Sequence, residues 1–230
     1  MNVKNIKSFI EFYEFLGVST FITPNTRNSK TINERVKFLF KTEDDFENNE
    51  DINDKSYQLE LLKKQVTESN CNLKDIATNL VFSEGNYDSK IMIIGEAPGA
   101  EEDRIGKPFV GQAGRLLDEM LELISLNRSK NVYLTNIVFW RPPGNRTPSS
   151  EEIKICLPFV HKHIDIVDPK LIIVLGNVAS KAIIDNTDGI TKLRTREHSY
   201  INKRNEKIPV NALFHPAYLL NYKYFQLLVF

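Results

Sequence analysis

Glu96, Phe109, Asn136 and His215 are side chains able to do chemistry, and each stands where an apolar pattern breaks. Glu96 lies in the run Gly95-Glu96-Ala97-Pro98-Gly99-Ala100-Glu101-Glu102-Asp103, directly after the apolar residues 91–94. A carboxylate held by a tight Gly/Pro-bent loop at a strand end orients a water or a substrate; otherwise it caps the loop or pairs with a lysine. Glu102 and Asp103, in the same run, read as solvated charges. Phe109, between Pro108 and Val110-Gly111, is either a core residue or a platform on which a planar base stacks. Asn136 interrupts an apolar stretch. Its amide, if buried, must be hydrogen-bonded. With one donor and one acceptor side it can read the edge of a planar amide heterocycle. His215 precedes Pro216, which restricts it to extended backbone. It is a structural turn residue, a hydrogen-bond donor to an oxyanion, or an acid–base group. His161 and His163, two apart on a helical pattern, point in different directions and do not form a metal pair. Cys71 and Cys156 alone cannot complete a four-cysteine site.

These residues need a scaffold that brings them together. From Lys90 onward strand and helix signals alternate. Strands are expected over 91–94, 131–138, 171–175 and 208–214, and helices over 113–126, 149–167 and 177–184. The helix over 149–167 opens on Pro148, Ser149, Ser150 and the early acids Glu151 and Glu152, which suit a helix N-terminus. Such alternation predicts a three-layer α/β/α fold around a mainly parallel four-stranded sheet. The acidic loop, Asn136, Gly176-Asn177 and His215 then all fall at the carboxyl ends of strands, where open α/β sheets bind their ligands.

The remaining chain is read more simply. Ile6, Phe9, Ile10, Tyr13 and Leu16 recur at helical spacing. Residues 42–56, acidic and Asn-rich, read as a mobile linker. Leu59, Leu61, Leu62 and Val66 mark another helix leading to Cys71. This places an N-terminal extension at 1–56 and one folded unit at 57–230. The chain has 230 residues, 41% hydrophobic and 26% charged, with a formal net charge of zero. That bounds one good core and does not advertise nucleic-acid or membrane binding. Residues 190–207 nonetheless gather Lys192, Arg194, Arg196, Lys203, Arg204 and Lys207 against Glu197 and Glu206. They form either a phosphate-contacting patch or a solvated polar hairpin. Two distant cysteines, no signal peptide and no membrane-length apolar run predict a cytoplasmic protein. A monomer is the default.

Taken in order, the stretches GEAPGAEEDRIGKPFVGQAGRLLDEML (95–121), VYLTNIVFWRPPGNRTPSSEEIKICLPFV (132–160), DPKLIIVLGNVASKAI (168–183) and FHPAYLL (214–220) resemble the family 4 uracil-DNA glycosylases. The resemblance covers most of 90–220. It implies hydrolysis of the N-glycosidic bond of uracil in DNA, after the nucleotide is flipped out of the stack. Glu96 would orient the attacking water and His215 would donate to uracil O2. Phe109 would stack on the base and Asn136 would read its edge. Glu102 would crowd C5 and exclude thymine, with Ala97 and Asn145 also lining or supporting the pocket. Ala217, Tyr218 and Leu219 would wedge into the duplex.

The chain departs from that pattern in its cysteines. The family binds a [4Fe–4S] cluster through four cysteines. Cys71 and Cys156 match two of those positions, while Glu68 and Trp140 stand at the others. The expectation is that no cluster binds and that Trp140 fills part of its place. The family also runs through a longer final helix than Asn221–Phe230 allows, and it generally lacks the acidic N-terminal extension. A catalytically weakened, damage-binding relative is therefore the alternative reading, and an enzyme acting on free nucleotides a third.

Overall fold

The computed structural model describes residues 49–220. The helix expected over 6–17, most of the acidic segment and the tail from Asn221 lie outside the described residues. Six strands form one mixed sheet in the order β1-β3-β2-β4-β6-β5: β1 Glu84–Gly85, β2 Ile91–Gly95, β3 Val132–Asn136, β4 Leu171–Leu175, β5 His198–Ile201 and β6 Lys207–Leu213. The four expected strands are the interior of the sheet, and all pair in parallel. The sheet is wider than the expected four strands. β1 and β5 add antiparallel edges. Edge strands pair on one side only, and His198-Ser199-Tyr200-Ile201 is too polar and β1 too short to carry a buried-strand pattern.

Alternation along β2 sends side chains to two separate cores. Ile91 and Ile93 pack with Leu117 and Leu121 of α3 (Gln112–Leu123). Met92 and Ile94 pack with Val160 and Ile164 of α4 (Ser150–Val167). Helices thus cover both faces, which is the three-layer arrangement. α1 (Asn49–Thr67) packs against α4. It begins within the segment read as linker, so over 49–56 that reading is replaced by helix, and the boundary drawn at residue 56 falls inside α1. The acidic loop is also partly helical: α2 runs Ala100–Ile105, with Glu101, Glu102 and Asp103 in its first turn. Three carboxylates there suit the positive end of a helix. Asp103 is not a solvated charge. It is 5% exposed, and Oδ1 accepts from the amides of Thr78 and Asn79 at 2.9 and 3.1 Å. α5 (Gly176–Ile184), α6 (Ile190–Leu193) and α7 (Pro216–Leu220) complete the described helices.

The N-terminus of α4 is closed by a capping box. Ser149 Oγ accepts from Glu152 N at 3.2 Å, and Glu152 Oε2 accepts from Ser149 N at 2.7 Å. Arg146 grips the same carboxylate with both terminal nitrogens, at 2.8 and 2.6 Å. The Arg146 bond foremost, with the Ser149 contacts, holds Glu152 at about 2. An unfolded Glu titrates near ~4.3, so this stabilisation is full above that pH and is lost as pH falls through 2. Glu152→Gln should cost about 1–2 kcal/mol at pH 7, discounted for screening at the half-exposed Arg146. Urea denaturation should show the wild-type advantage at pH 7 and its narrowing at about pH 3.

Candidate active site

The carboxyl ends of β2, β3, β4 and β6 lie side by side, and the candidate residues sit on them. Gly95 ends β2 and Asn136 ends β3, and the two are register partners. The ladder continues past them, with Ile137 N donating to Gly95 O at 2.9 Å and Val138 N to Glu96 O at 3.2 Å. A Cβ on Gly95 would stand 2.3 Å from Asn136 Oδ1 and 2.5 Å from Phe109 Cζ. The missing side chain is therefore what lets Asn136 and Phe109 converge over one floor. Asn136 is 2% exposed, and among the described residues its carboxamide has no hydrogen-bond partner. A carboxamide at that strand end offers one donor side and one acceptor side.

His215 approaches from the end of β6. Its ring lies 6.2 Å from that of Phe109, at an interplanar angle of 26°. Gly176, at the end of β4, has φ 88°, and a Cβ on it would meet His215 Cβ at 3.2 Å. Here the left-handed backbone and the close approach both call for glycine. The amide of Ala217 donates to His215 Nδ1 at 3.1 Å. Nδ1 is thus an acceptor, and the proton of the neutral ring resides on Nε2. Burial lowers the imidazole's pKa, with the Glu102 carboxylate partly opposing. Burial thus favours the neutral ring, with its N–H on Nε2. Glu96 is half-buried with no ion-pair partner among the described residues, and burial raises its pKa. A desolvated carboxylate is a better proton acceptor. Ala97, beside it, is partly buried against the α4-side core.

Glu102 has a role the sequence did not disclose. Oε1 accepts from the amides of Val110 and Gly111 at 3.1 and 2.9 Å. It ties α2 to the loop that carries Phe109 and to Gly111, the residue just before α3. Phe109 needs such support, because its φ of 56° is left-handed. For a residue with a Cβ that conformation costs about 1–2 kcal/mol.

Other expected residues are placed differently. Asn145 is exposed, and its Oδ1 accepts from Arg141 Nε at 2.7 Å, a contact within the turn after β3. Ala217 and Tyr218 are exposed, and Tyr218 stacks on Phe214 at 5.1 Å. Leu219 is 3% exposed. Its side chain belongs to the protein interior, so the exposed part of the expected wedge is Ala217 and Tyr218. The basic stretch 190–207 forms the β5–β6 hairpin and α6. Arg204 pairs with Asp168 and Glu206, and Arg196 and Lys192 pair with Asp188. Arg194 is buried over the Phe214 ring, 4.5 Å from its centroid. This favours the polar-hairpin reading of that stretch over a free phosphate patch.

Cys71 and Cys156 are both buried, with their sulfurs 4.0 Å apart. The Cys156 thiol donates to Cys71 and lowers its pKa, while the same contact and burial raise that of Cys156. Glu68 is exposed, and Trp140 is buried edge-on to Phe139 at 6.3 Å. An indole offers iron no ligand. Among the described residues no group of three or more His, Cys, Asp or Glu could hold a metal ion. Two thiols do not fit a cluster that takes four. No helix among the described residues is long and apolar enough to cross a membrane.

A parallel sheet core whose strand ends gather a carboxylate, an aromatic ring, a carboxamide and a histidine defines an α/β protein with its candidate site at the carboxyl ends of the strands. Comparison with known proteins names the class. Residues 82–228 match the model of the uracil DNA glycosylase superfamily. The chain is 43% identical over 166 residues to the type-4 uracil-DNA glycosylase of Sulfurisphaera tokodaii, covering 69% of this chain and 74% of that one. It is 42% identical over 151 residues to the type-4 enzyme of Thermotoga maritima, covering 65% and 76%. With the type-4 enzyme of Pyrobaculum aerophilum it shares 46% over 115 residues, covering 50% and 58%. The chain belongs to the uracil-DNA glycosylase superfamily, among its type-4 members.

Proposed function

We propose that the protein removes uracil from DNA by hydrolysing the N-glycosidic bond of a flipped nucleotide, the first step of base excision repair. The observation that carries this reading is the convergence of Phe109 and Asn136 over Gly95, facing a histidine whose N–H is on Nε2. Uracil stacks on Phe109. Asn136 Oδ1 accepts from N3–H and Nδ2 donates to O4. As the bond from C1′ to N1 breaks, its electron pair moves onto the base, and His215 Nε2–H donates to the O2 that takes up the charge. Glu96 orients a water and accepts its proton as the water oxygen bonds to C1′. Its raised pKa supports that role.

Glu102 crowds C5 against thymine's methyl group, and its bonds to Val110 and Gly111 hold it still enough to do so. A methyl contact discriminates by only ~1–3 kcal/mol. Flipping, cheapest at a mispaired base, adds to the selection. Ala97 lines the pocket beside Glu96, Asn145 steadies its rim through Arg141, and Tyr218 with Ala217 leads the wedge into the duplex. The partner is uracil-containing DNA, and the protein acts on it as a monomer. The free thiols Cys71 and Cys156 suit the reducing cytoplasm. We assign the glycosylase unit to 57–230, with the helical residues 49–56 leading into it.

Incubation with a uracil-containing oligonucleotide, then alkaline cleavage, tests the reading. Strand breaks at uracil are expected. Binding without breaks at stoichiometric protein would instead favour a damage-binding relative. The donor set also supports folding without the iron–sulfur cluster. Protein purified without oxygen should contain far less than stoichiometric iron and no visible cluster absorption; stoichiometric iron would refute this.

A further inference from the structure

We propose that the ion pair Arg128–Asp118, outside the pocket, is a positioning device for the base platform: it fixes the backbone of Phe109 and so sets the affinity for the flipped base. The proposal rests on the reading of Phe109 as that platform.

Arg128 lies in the turn between α3 and β3, and Asp118 lies on α3. Asp118 receives Arg128 Nε and Nη2, both at 2.8 Å, in the forked geometry a guanidinium prefers. The outward side of the fork is not spent on solvent. Nη2 also donates to Phe109 O at 2.7 Å, and Nη1 donates to Pro108 O at 3.3 Å. These carbonyls lie in none of the helices or strands. Phe109 is left-handed, and its carbonyl is turned toward the first turn of α3. The approach is close: a Cβ on Gly114 would stand 1.9 Å from Phe109 O.

Glu102 takes the amides of Val110 and Gly111 just beyond. Phe109 is therefore bracketed, carbonyls before and amides after, by two opposite charges on separate elements. Its ring ends at Gly95, beside Asn136, while its carbonyl ends at Arg128. A shift at one end must move the other. Lysine cannot reproduce the arrangement, because a single nitrogen cannot hold a carboxylate and two carbonyls in one plane.

A purely structural pair would lower stability and leave the base affinity of the folded protein alone. The two roles separate in a double-mutant cycle. The readouts are the inhibition constant of free uracil and kcat and KM on a uracil oligonucleotide, at a temperature where circular dichroism shows every variant folded. Arg128→Met should weaken uracil binding on the order of ten- to a hundredfold, chiefly in KM. Arg128→Lys should rescue little, and the milder Asp118→Asn should fall between. In the Phe109→Ala background, Arg128→Met and Asp118→Asn should have no further effect on uracil binding, since no ring remains to be placed. Independent, multiplying effects would overturn the proposal, as would unchanged uracil binding in folded Arg128→Met or Asp118→Asn. If Phe109→Ala alone leaves uracil binding unchanged while the wild type excises uracil, the platform reading falls and this proposal with it. Absence of excision by the wild type would instead strike the proposed function.

Discussion

His215→Ala should lower kcat on uracil-containing DNA by about 10²–10³ with little change in KM. The lost contact is one that strengthens only as charge gathers on the leaving base, so the ground-state complex barely notices it. Single-turnover kinetics on a uracil oligonucleotide would measure the chemical step directly. Full activity in the variant would remove His215 from the anion site. The pH dependence follows from the same geometry. Burial lowers the pKa of His215, so the ring stays neutral through the ordinary histidine range near ~6.5. Protonating Nδ1 at lower pH would place two N–H groups face to face with Ala217. Glu96 moves the other way, upward from the carboxylate range near ~4.3. It must be ionised to accept a proton, so activity falls on acidification, with the limb above ~4.3. Glu96→Gln should retain only weak activity and lose its share of that limb.

Gly95→Ala should be nearly as damaging to catalysis and far gentler to the fold. The added Cβ meets side-chain ends, Asn136 Oδ1 and Phe109 Cζ, rather than backbone. Both would have to leave the positions from which, on the proposed reading, they hold the base. A displacement of about 1 Å in a positioning group is worth roughly 10² in rate. kcat/KM should fall by at least that factor, and the urea midpoint should move less than when the added Cβ meets backbone. Gly114→Ala supplies the contrast. Its Cβ would stand within 3 Å of backbone atoms of Phe109, so it should lower stability first and activity as a consequence. Equilibrium denaturation of both variants beside their kinetics would separate the two cases.

The inner strands were legible because burial on both faces leaves an unbroken apolar run, as in Ile91-Met92-Ile93-Ile94. Their ends were legible because Glu96, Asn136 and His215 interrupt such runs. The helix cap at Ser149 was legible because its partner is three residues away. What escaped depends on groups brought together only by folding. Glu102 bonds amides eight and nine residues on, and Arg128 grips an acid on the preceding helix and carbonyls further back still. No local period records such pairings. The left-handed Phe109 could not be foreseen either, since its conformation is imposed from both flanks against its own preference. Leu219 was expected in the wedge because the resemblance placed the whole run 217–219 there, yet an apolar residue in such a run suits a core equally well. The proton position on His215 needed the one backbone amide that faces it.

The strand order also bears on the protein as it is being made. β6 is the last of the described strands in sequence but lies between β4 and β5, and His215 follows its end. A growing polypeptide that has emerged through Asn136 already carries Glu96, Phe109 and Asn136. It has neither His215 nor the strand that completes the parallel interior of the described sheet. Pairings of such long range form late. If His215 is the anion donor, abasic-site formation therefore requires a chain made at least through residue 215. On the proposed mechanism, a fragment that ends before β6 should excise no uracil from a uracil oligonucleotide.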